Sequence, residues 1–349
     1  MSPSIRFPEF TGEWEKCKIE DITDAVSSGK SKNHFSNGEY NLYGSTGIIG
    51  RTDKALYDGK LVLVARVGAN AGFLQIINEP CGITDNTLIL KPKGIDAFYL
   101  YYFLQHFNLN RLIFGSGQPL ITGGMLKKVK VSLGTISEQS KIVKFLSLLD
   151  ERTAVQSRLI EDLKKLRCAV SNKLFQSVKG VAIPLSCISN IVKGKQINGD
   201  FLADVGEYYV MNGGTEPSGY YDNYNVEANT ISISEGGNSC GYVQFNRMPF
   251  WSGGHCYTIQ DIVSDVETLY LYHYLKSKED SIMKLRIGTG LPNIQKKDLA
   301  EFKVIIPAIE QQRTISNILS LLERKTEIEG RMLIAMRTEK QYLLHQMFI

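Results

Sequence analysis

The chain has 349 residues, 43% of them hydrophobic, and its 40 Lys and Arg against 36 Asp and Glu leave a formal net charge of +4. That length gives two or three domains with ample material for cores, and so slight a basic excess barely favours a polyanionic partner. The 6 cysteines form no C-x-x-C pair and no Cys/His cluster with zinc spacing, Met1 to Phe10 has no apolar core, and no apolar run approaches a membrane span, so reduced thiols, no signal peptide, no membrane contact and a cytoplasmic setting are expected.

In chain order, residues 14 to 134 read as a first globular region of mixed α and β character. Short apolar runs at Tyr40 to Tyr43, Leu61 to Val67 and Thr87 to Leu90 are separated by Gly, Asn and Asp, which predicts a sheet with many turns. A helix is expected over Asp96 to Leu109, then a glycine-rich loop at Gly115 to Gly124 and a strand at Val129 to Leu133. Next comes one long amphipathic helix, Ile136 to Phe175, whose apolar residues Ile142, Leu146, Leu149, Leu159, Leu163, Leu166 and Val170 keep to one stripe. Thr135 with Glu138 three residues on is a candidate capping box. Forty helical residues extend about 60 Å, and a narrow stripe on so long a helix calls for a helical partner.

Gln176 to Ile183 reads as a short connector, after which the plan starts again. Adding 173 to the helix numbers gives a second copy at Ile309 to Phe348, with Gln139/Gln312, Ile142/Ile315, Leu146/Leu319, Leu149/Leu322 and Phe175/Phe348 identical. Gly50 answers to Gly219 and Gly68 to Phe73 answers to Gly237 to Tyr242, both at an offset of 169, while Gly115 to Ile121 answers to Gly288 to Ile294 at 173. A period this long means duplicated domains, not a solenoid. Between these anchors the halves share little: Ser31 to Tyr40 and Gln196 to Tyr208 are unrelated. Repeated frame and unrepeated loops suit one scaffold presenting two recognition surfaces.

The expected fold is α+β: two homologous mixed α/β domains separated by two long helices that pair as an antiparallel coiled coil, a pseudo-twofold tandem repeat. Its parts are residues 1–134, a first domain; 135–178, a first spacer helix; 179–307, a second domain; and 308–349, a second spacer helix.

A catalytic constellation is sought and not found. Asn246 to Phe250 lacks the first proline of an adenine-methyltransferase loop and reads as a strand end beside a turn. Asp298, Glu301 and Lys303 have the spacing of a magnesium nuclease, but their first-half counterparts are Met125, Lys128 and Lys130, so the match reads as chance. Ser234 to Gly241 fits no nucleotide loop and reads as a tight hairpin, and His255-Cys256 reads as a packed or DNA-facing histidine.

The helix starts resemble those of one family, the specificity subunit of type I restriction-modification systems, whose domain ends carry a pattern close to P-x-L-x-E-Q-x-x-I followed by F-L-S-x-L-D. Here the first copy reads Ile136-Ser137-Glu138-Gln139-Ser140-Lys141-Ile142, then Phe145-Leu146-Ser147-Leu148-Leu149-Asp150, and the second keeps Pro307, Ile309, Gln312, Ile315, Leu319 and Ser320. It departs with Gln311 for Glu138 and Glu323 for Asp150, and the first copy has Gly134 where the pattern prefers proline. Arg6 to Trp14 also resembles the usual entry into a first recognition domain, so the resemblance covers essentially the whole chain. It implies a non-catalytic DNA-binding subunit that reads a split target in double-stranded DNA, one half-site per domain, and docks two methyltransferase subunits through its helices. Restriction subunits are optional further partners. It also implies that this chain binds no cofactor, since S-adenosylmethionine, ATP and Mg belong to the partners. The alternative kept beside it is a solitary two-lobed DNA nuclease.

Reading bases needs side chains that fork onto base edges, Arg or Lys to guanine and Asn or Gln to adenine, with other cations and amides on phosphates. The unique loops supply Lys30, Lys32, Asn33, His34, Arg66, Asn70, Asn86 and Gln118 in the first half. In the second they supply Lys193, Lys195, Gln196, Asn212, Asn238, Arg247, His255 and Asn293. Lys30 and Lys195 stand out, each expected after its domain's first strand and near a glycine, whereas Tyr43 is equally at home in a core. Lys164, Lys165 and Arg167 are expected to face outward from the first long helix.

Overall fold

The computed structural model describes residues 3–32, 38–113, 119–288, 290 and 292–348. The chain divides into two compact units, Met1–Ser157 with Arg331–Ile349, and Arg158–Gly330. Both long helices therefore contribute to both units.

The first unit runs β1 (Glu15–Lys18), β2 (Thr23–Ser28), β3 (Tyr40–Gly44), β4 (Gly47–Thr52), β5 (Lys60–Ala65), β6 (Leu74–Asn78), β7 (Cys81–Ile83), β8 (Thr87–Pro92), α1 (Ala97–Phe107), α2 (Gly123–Lys127) and β9 (Lys130–Leu133), before α3 (Ile136–Ser177). A sheet of order β2-β8-β5-β6 abuts a smaller one of order β4-β3-β7, and β1 pairs with β9. Strand β5 is apolar at every position from Leu61 to Ala65 because both its faces are covered. Val62 and Val64 enter the main core with α1, whereas Leu61 and Leu63 enter a second core with Cys81 and Ile83, against which Tyr43 packs. Helix α1 starts where the Asp96 carboxylate accepts from the Phe98 amide at 2.7 Å, and it ends at Asn108, whose φ of 56° lies in the left-handed region. Tyr43 donates to Glu79 at 2.5 Å, and burial together with that carboxylate pushes its hydroxyl up to about 12.

The second unit repeats the plan as β10 (Val181–Pro184), α4 (Leu185–Ile188), β11 (Asn190–Lys193), β12 (Tyr208–Met211), β13 (Tyr220–Tyr221), β14 (Thr230–Ser234), β15 (Val243–Asn246), β16 (Trp251–Ser252), β17 (Cys256–Gln260), α5 (Thr268–Ser277), α6 (Glu279–Met283), α7 (Lys296–Ala300) and β18 (Lys303–Ile306), before α8 (Ile309–Met347). Its sheets have the matching orders β11-β17-β14-β15, β13-β12-β16 and β10-β18. Register makes the match residue by residue: Val62 faces Leu90 as Ile231 faces Ile259, an offset of 169, while Val26 faces Leu90 as Ile191 faces Ile259, an offset of 165. The expected connector before Ile183 is shorter than the sequence suggests. Val181 to Pro184 is a strand, because β18 leaves an edge that β10 completes just as β1 completes β9. Ser234 to Gly241 is a hairpin turn between β14 and β15, as expected.

The two sequence anchors of each half meet in space. Gly68 donates its amide to Pro119 O at 3.0 Å, and Gly237 donates to Pro292 O at 3.0 Å, so the hairpin turn and the proline loop hold each other. Each turn carries φ of 76° to 92° at its first and last glycine, Gly68 and Gly72 or Gly237 and Gly241, a conformation that a side chain would strain. That requirement explains why these glycines recur while their neighbours change.

The long helices run antiparallel within each unit. In the first, Ile142 and Leu146 near the start of α3 share a core with Leu344, Met347 and Phe348 at the end of α8. In the second, Phe175 and Val178 at the end of α3 share a core with Ile315 and Leu319 near the start of α8. One polar triad recurs at the same place. Tyr102 of α1 donates to Asp150 of α3 at 2.8 Å, and Lys340 of α8 pairs with the same carboxylate. Tyr272 of α5 donates to Glu323 of α8 at 2.8 Å, and Arg167 of α3 pairs with it at 3.0 Å. Glu323 in place of Asp150 thus keeps its role. Arg167, expected to face outward, is turned inward by this carboxylate, whereas Lys164 and Lys165 are exposed.

The helix starts explain the remaining departures. Gln139 and Gln312 are buried, and each donates its amide to the carbonyl five residues back, Gly134 O or Pro307 O, at 2.9 Å. Only half of the expected capping box forms. Thr135 Oγ1 accepts the Glu138 amide at 3.3 Å, but the Glu138 carboxylate is taken by Arg6, which donates to it at 2.6 and 2.8 Å. A Cβ on Gly134 would lie 2.3 Å from that carboxylate, so glycine replaces the pattern's proline where a buried glutamate needs the space. In the second copy Gln311 is exposed and Pro307 fits.

Glu138 is wholly buried, so Arg6→Ala should leave an uncompensated carboxylate and lower the stability of the first unit by about 3 kcal/mol. Adding Glu138→Gln should recover most of that loss in urea unfolding; equal instability of the single and double variants would refute the assignment.

A second test concerns pH. His273 is buried with Nε2 2.9 Å from Ser320 Oγ, and burial, reinforced by Arg167 and Arg247, holds its pKa down at about 4. Such a histidine takes up a proton on unfolding, so the folded state loses stability as the pH falls from about 6.5 toward 4 and gains nothing from this group above 7. Between pH 7 and pH 5 the second unit should lose about 2 kcal/mol through this residue. His273→Gln should flatten that slope, and an unchanged slope would mean that other groups cause it.

Candidate nucleic-acid interface

In the first unit the end of β2, the β3–β4 turn and the β7–β8 turn surround an open cleft, lined among others by Lys30, Lys32, Ser45, Asp85 and Asn86. Arg66, the residue after β5, belongs to the same end of the sheet. Its amide donates to Asn86 O at 2.9 Å, and its guanidinium reaches Ser28 Oγ at 3.4 Å. Asn70 sits apart on the exposed glycine turn. Asn33, His34 and Gln118 lie outside the described residues.

In the second unit Lys195, Gln196, Asn212 and His255 come together. Lys195 is fixed through its main chain: its amide donates to Ser252 O at 2.8 Å, and Trp251 Nε1 donates to its carbonyl at 2.9 Å. Asn212 Oδ1 accepts the His255 amide at 3.1 Å, and Gln196 packs against Gly254, where a Cβ would lie 2.4 Å from its Oε1. Asn293 is bridged to Gly236, whose own Cβ position is 3.9 Å from His255 Nδ1. Asn238 is exposed on the glycine turn, at the position equivalent to Ala69.

Two candidates have a different setting. Arg247 lies between β15 and β16 and pairs with Glu327 at 3.3 Å and Glu323 at 3.8 Å, away from the Lys195 group. Lys193 ends β11 and pairs with Glu235 at 2.7 Å, a carboxylate that also accepts from Tyr257 at 3.0 Å. Sequence reasoning missed Glu235, although the offset of 169 puts it at the position of Arg66. The same step of the frame holds a cation in one unit and an ion pair in the other. Lys30 and Lys195 follow β2 and β11, the second strand of each unit and not the first, because β1 and β10 precede them.

Apart from these cations the surface offers amides, hydroxyls, a histidine and, in the first unit, the Asp85 carboxylate. His255 is exposed, but Cys256 beside it is buried, its thiol turned to Tyr257 O at 3.5 Å and pushed up to about 11 by burial. Among the described residues no group of three or more His, Cys, Asp or Glu could hold a metal ion, and no helix is long and apolar enough to cross a membrane. Asp298 lies within α7, Glu301 caps its end and Lys303 opens β18. Side chains of the kinds gathered around Lys30 and around Lys195 are able to donate and accept hydrogen bonds with polar and anionic ligands.

Comparison with known proteins identifies the family. The model of the type I restriction modification DNA specificity domain matches residues 11–165 and 183–335. A putative type I specificity subunit of Mycoplasma genitalium is 25% identical over 100% of this chain and 97% of its own length. A Mycoplasma pneumoniae relative of the same description is 31% identical over 47% of this chain and 44% of its own. The crystal structure of a type I restriction-modification S subunit from M. genitalium superposes with a TM-score of 0.74 at 23% identity, covering 100% of this chain and 99% of that one. Two tandem copies of the domain, each on the repeated frame described above, mean that this chain belongs to the type I restriction-modification specificity subunit family.

Proposed function

We propose that this chain is the sequence-specific DNA-binding subunit of a type I methyltransferase or restriction complex, and that it reads a bipartite target in double-stranded DNA with one half-site per domain. One observation carries this reading: the two units share a frame in register, yet the side chains at one end of that frame differ. Asn86 O and His255 O accept equivalent backbone amides at 2.9 Å, so an amide and an imidazole are presented from one position. Two readers on one scaffold then recognise two different half-sites.

In the same reading residues 1–134 and 179–307 are the recognition domains, and 135–178 and 308–349 are the spacer helices. The helices dock two methyltransferase subunits, with restriction subunits as optional further members. S-adenosylmethionine, ATP and Mg are held by those partners, in the cytoplasm, and this chain is non-catalytic. Exposed apolar side chains on the helices, such as Leu148 and Leu166 on α3 and Leu321 and Ile334 on α8, are available for such docking. No observation favours the solitary nuclease.

Exchanging residues 14–134 for the first domain of another family member, in a host supplying methyltransferase subunits, should change one half of the methylated split motif and leave the other intact. Sequencing of modified bases reads this out, and loss of both halves would overturn the two-reader model. Purified chain free of partner subunits should neither methylate nor cut DNA with S-adenosylmethionine, ATP and Mg present; activity abolished by Glu301→Gln would restore the nuclease.

A further inference from the structure

The frame allows the described candidate residues to be compared position by position, and one position among them is alike in both units. The dipeptide Gly29-Lys30 recurs as Gly194-Lys195, at the offset of 165 that the registers of β2 and β11 give independently. The glycine amide donates at 2.9 Å in both, to Thr87 O in the first unit and to Cys256 O in the second. Both glycines are required by close approach. A Cβ on Gly29 would lie 2.3 Å from Ile83 O, and one on Gly194 would lie 2.2 Å from Gly253 O. The main chain is therefore pinned against the β7–β8 turn or its counterpart, the β16–β17 turn, and the next residue is projected outward from a fixed base.

That next residue is lysine twice, exposed twice, and among the described residues neither ammonium has a carboxylate partner. Lys193, two residues earlier, shows the contrast: it is neutralised by Glu235. The positions around the lysines differ between units. Asn86 answers to His255, Arg66 to Glu235, Gly44 to Asn212 and Ser31 to Gln196. If two readers see different base pairs, the one contact that must not change is the one to the sugar-phosphate backbone.

We propose that Lys30 and Lys195 are equivalent, sequence-independent phosphate contacts, one per unit, and that base discrimination falls to the unlike positions around them, Asn86 in the first unit and Gln196, Asn212 and His255 in the second. This rests on the DNA-binding reading above and assigns roles within it. A flexible ammonium suits a phosphate, which takes a point charge from many directions, better than it suits a base edge that must be told from its neighbours.

The test uses the full chain assembled with methyltransferase subunits, with fluorescent duplexes carrying the mapped target or a scrambled sequence, titrated from low to physiological salt. Lys30→Ala and Lys195→Ala should each weaken binding severalfold on both duplexes alike, and should each reduce the slope of log affinity against log salt by about 0.9. The Lys→Arg variants should restore both, and the methylated motif should stay the same throughout. His255→Ala and Gln196→Ala should instead relax one half of the motif with little change in slope. A lysine variant that alters the motif, or that leaves affinity and slope unchanged, would overturn the proposal. Failure of the DNA-binding reading would look different: the unaltered assembly itself would show no salt-dependent retention of either duplex.

Discussion

The carboxylate that α3 or α8 presents to its unit is the contact on which each half depends. Asp150 and Glu323 each accept a tyrosine hydroxyl from the domain's own helix and a cation from the opposite long helix. Three elements remote in sequence are tied at one point, and the tie is directional where apolar packing is not. Removing the acid would leave a buried tyrosine hydroxyl and a cation without their common acceptor. The surrounding core of Tyr99, Phe103, Leu146 and Phe348, or of Tyr270, Tyr274, Phe175 and Leu319, supplies the bulk of the stabilisation. The triad adds to that core a directional contact between the same three elements. Swapping Asp for Glu and Lys for Arg between the two copies alters reach and leaves charge and partners in place.

Electrostatics separates the halves elsewhere. The residue after the central strand is Arg66 in one unit and Glu235 in the other, and Glu235 brings Lys193 and Tyr257 onto itself. The first unit therefore keeps at this step a cation that the second cancels internally. Tyr257 is driven well above its ordinary range by burial beside that carboxylate and serves as a hydrogen-bond donor. The second unit also lines its central strand differently. Ser232 and Ser234 take positions that Leu63 and Ala65 fill in the first, and they bond to Asn246 and to Gly213 O at 2.9 and 2.6 Å. The same topology thus accepts an apolar or a hydrogen-bonded lining of its central strand.

Much of the architecture was legible because duplication is a signal that needs no propensity scale. The long helices, α1, the main strands and the glycine hairpin all follow from periodicity and from anchors repeated at fixed offsets. What escaped was pairing over distance. Val181 to Pro184 looks like a connector until β18 is seen to need a partner, and Arg6 gives no sign in the sequence that it will take Glu138 away from its cap. The candidate surface was legible by residue type and less so by grouping. Lys30, Lys32, Arg66 and Asn86 converge, as do Lys195, Gln196, Asn212 and His255, but nothing in the order of residues says that Arg247 will turn to the acids of α8 or that Glu235 will claim Lys193. Ion pairs between residues far apart in sequence depend on the finished packing, and local pattern does not carry them.

The bonds that hold the outer turns have a bearing on how such a chain changes over generations. Gly68 to Pro119, Arg66 to Asn86, and their counterparts Gly237 to Pro292 and Glu235 to His255, are all made by main-chain amides and carbonyls. The exposed side chains at 86 and 255 take no part in them, so any residue without a special backbone demand can occupy those two positions and the turn stays closed, whereas Glu235 is buried and held by Tyr257 and Lys193. Closing the turn and setting the chemistry of the exposed surface therefore draw on different atoms of the same residues. A population of such proteins can drift through new surface chemistries one substitution at a time, with each intermediate still folded.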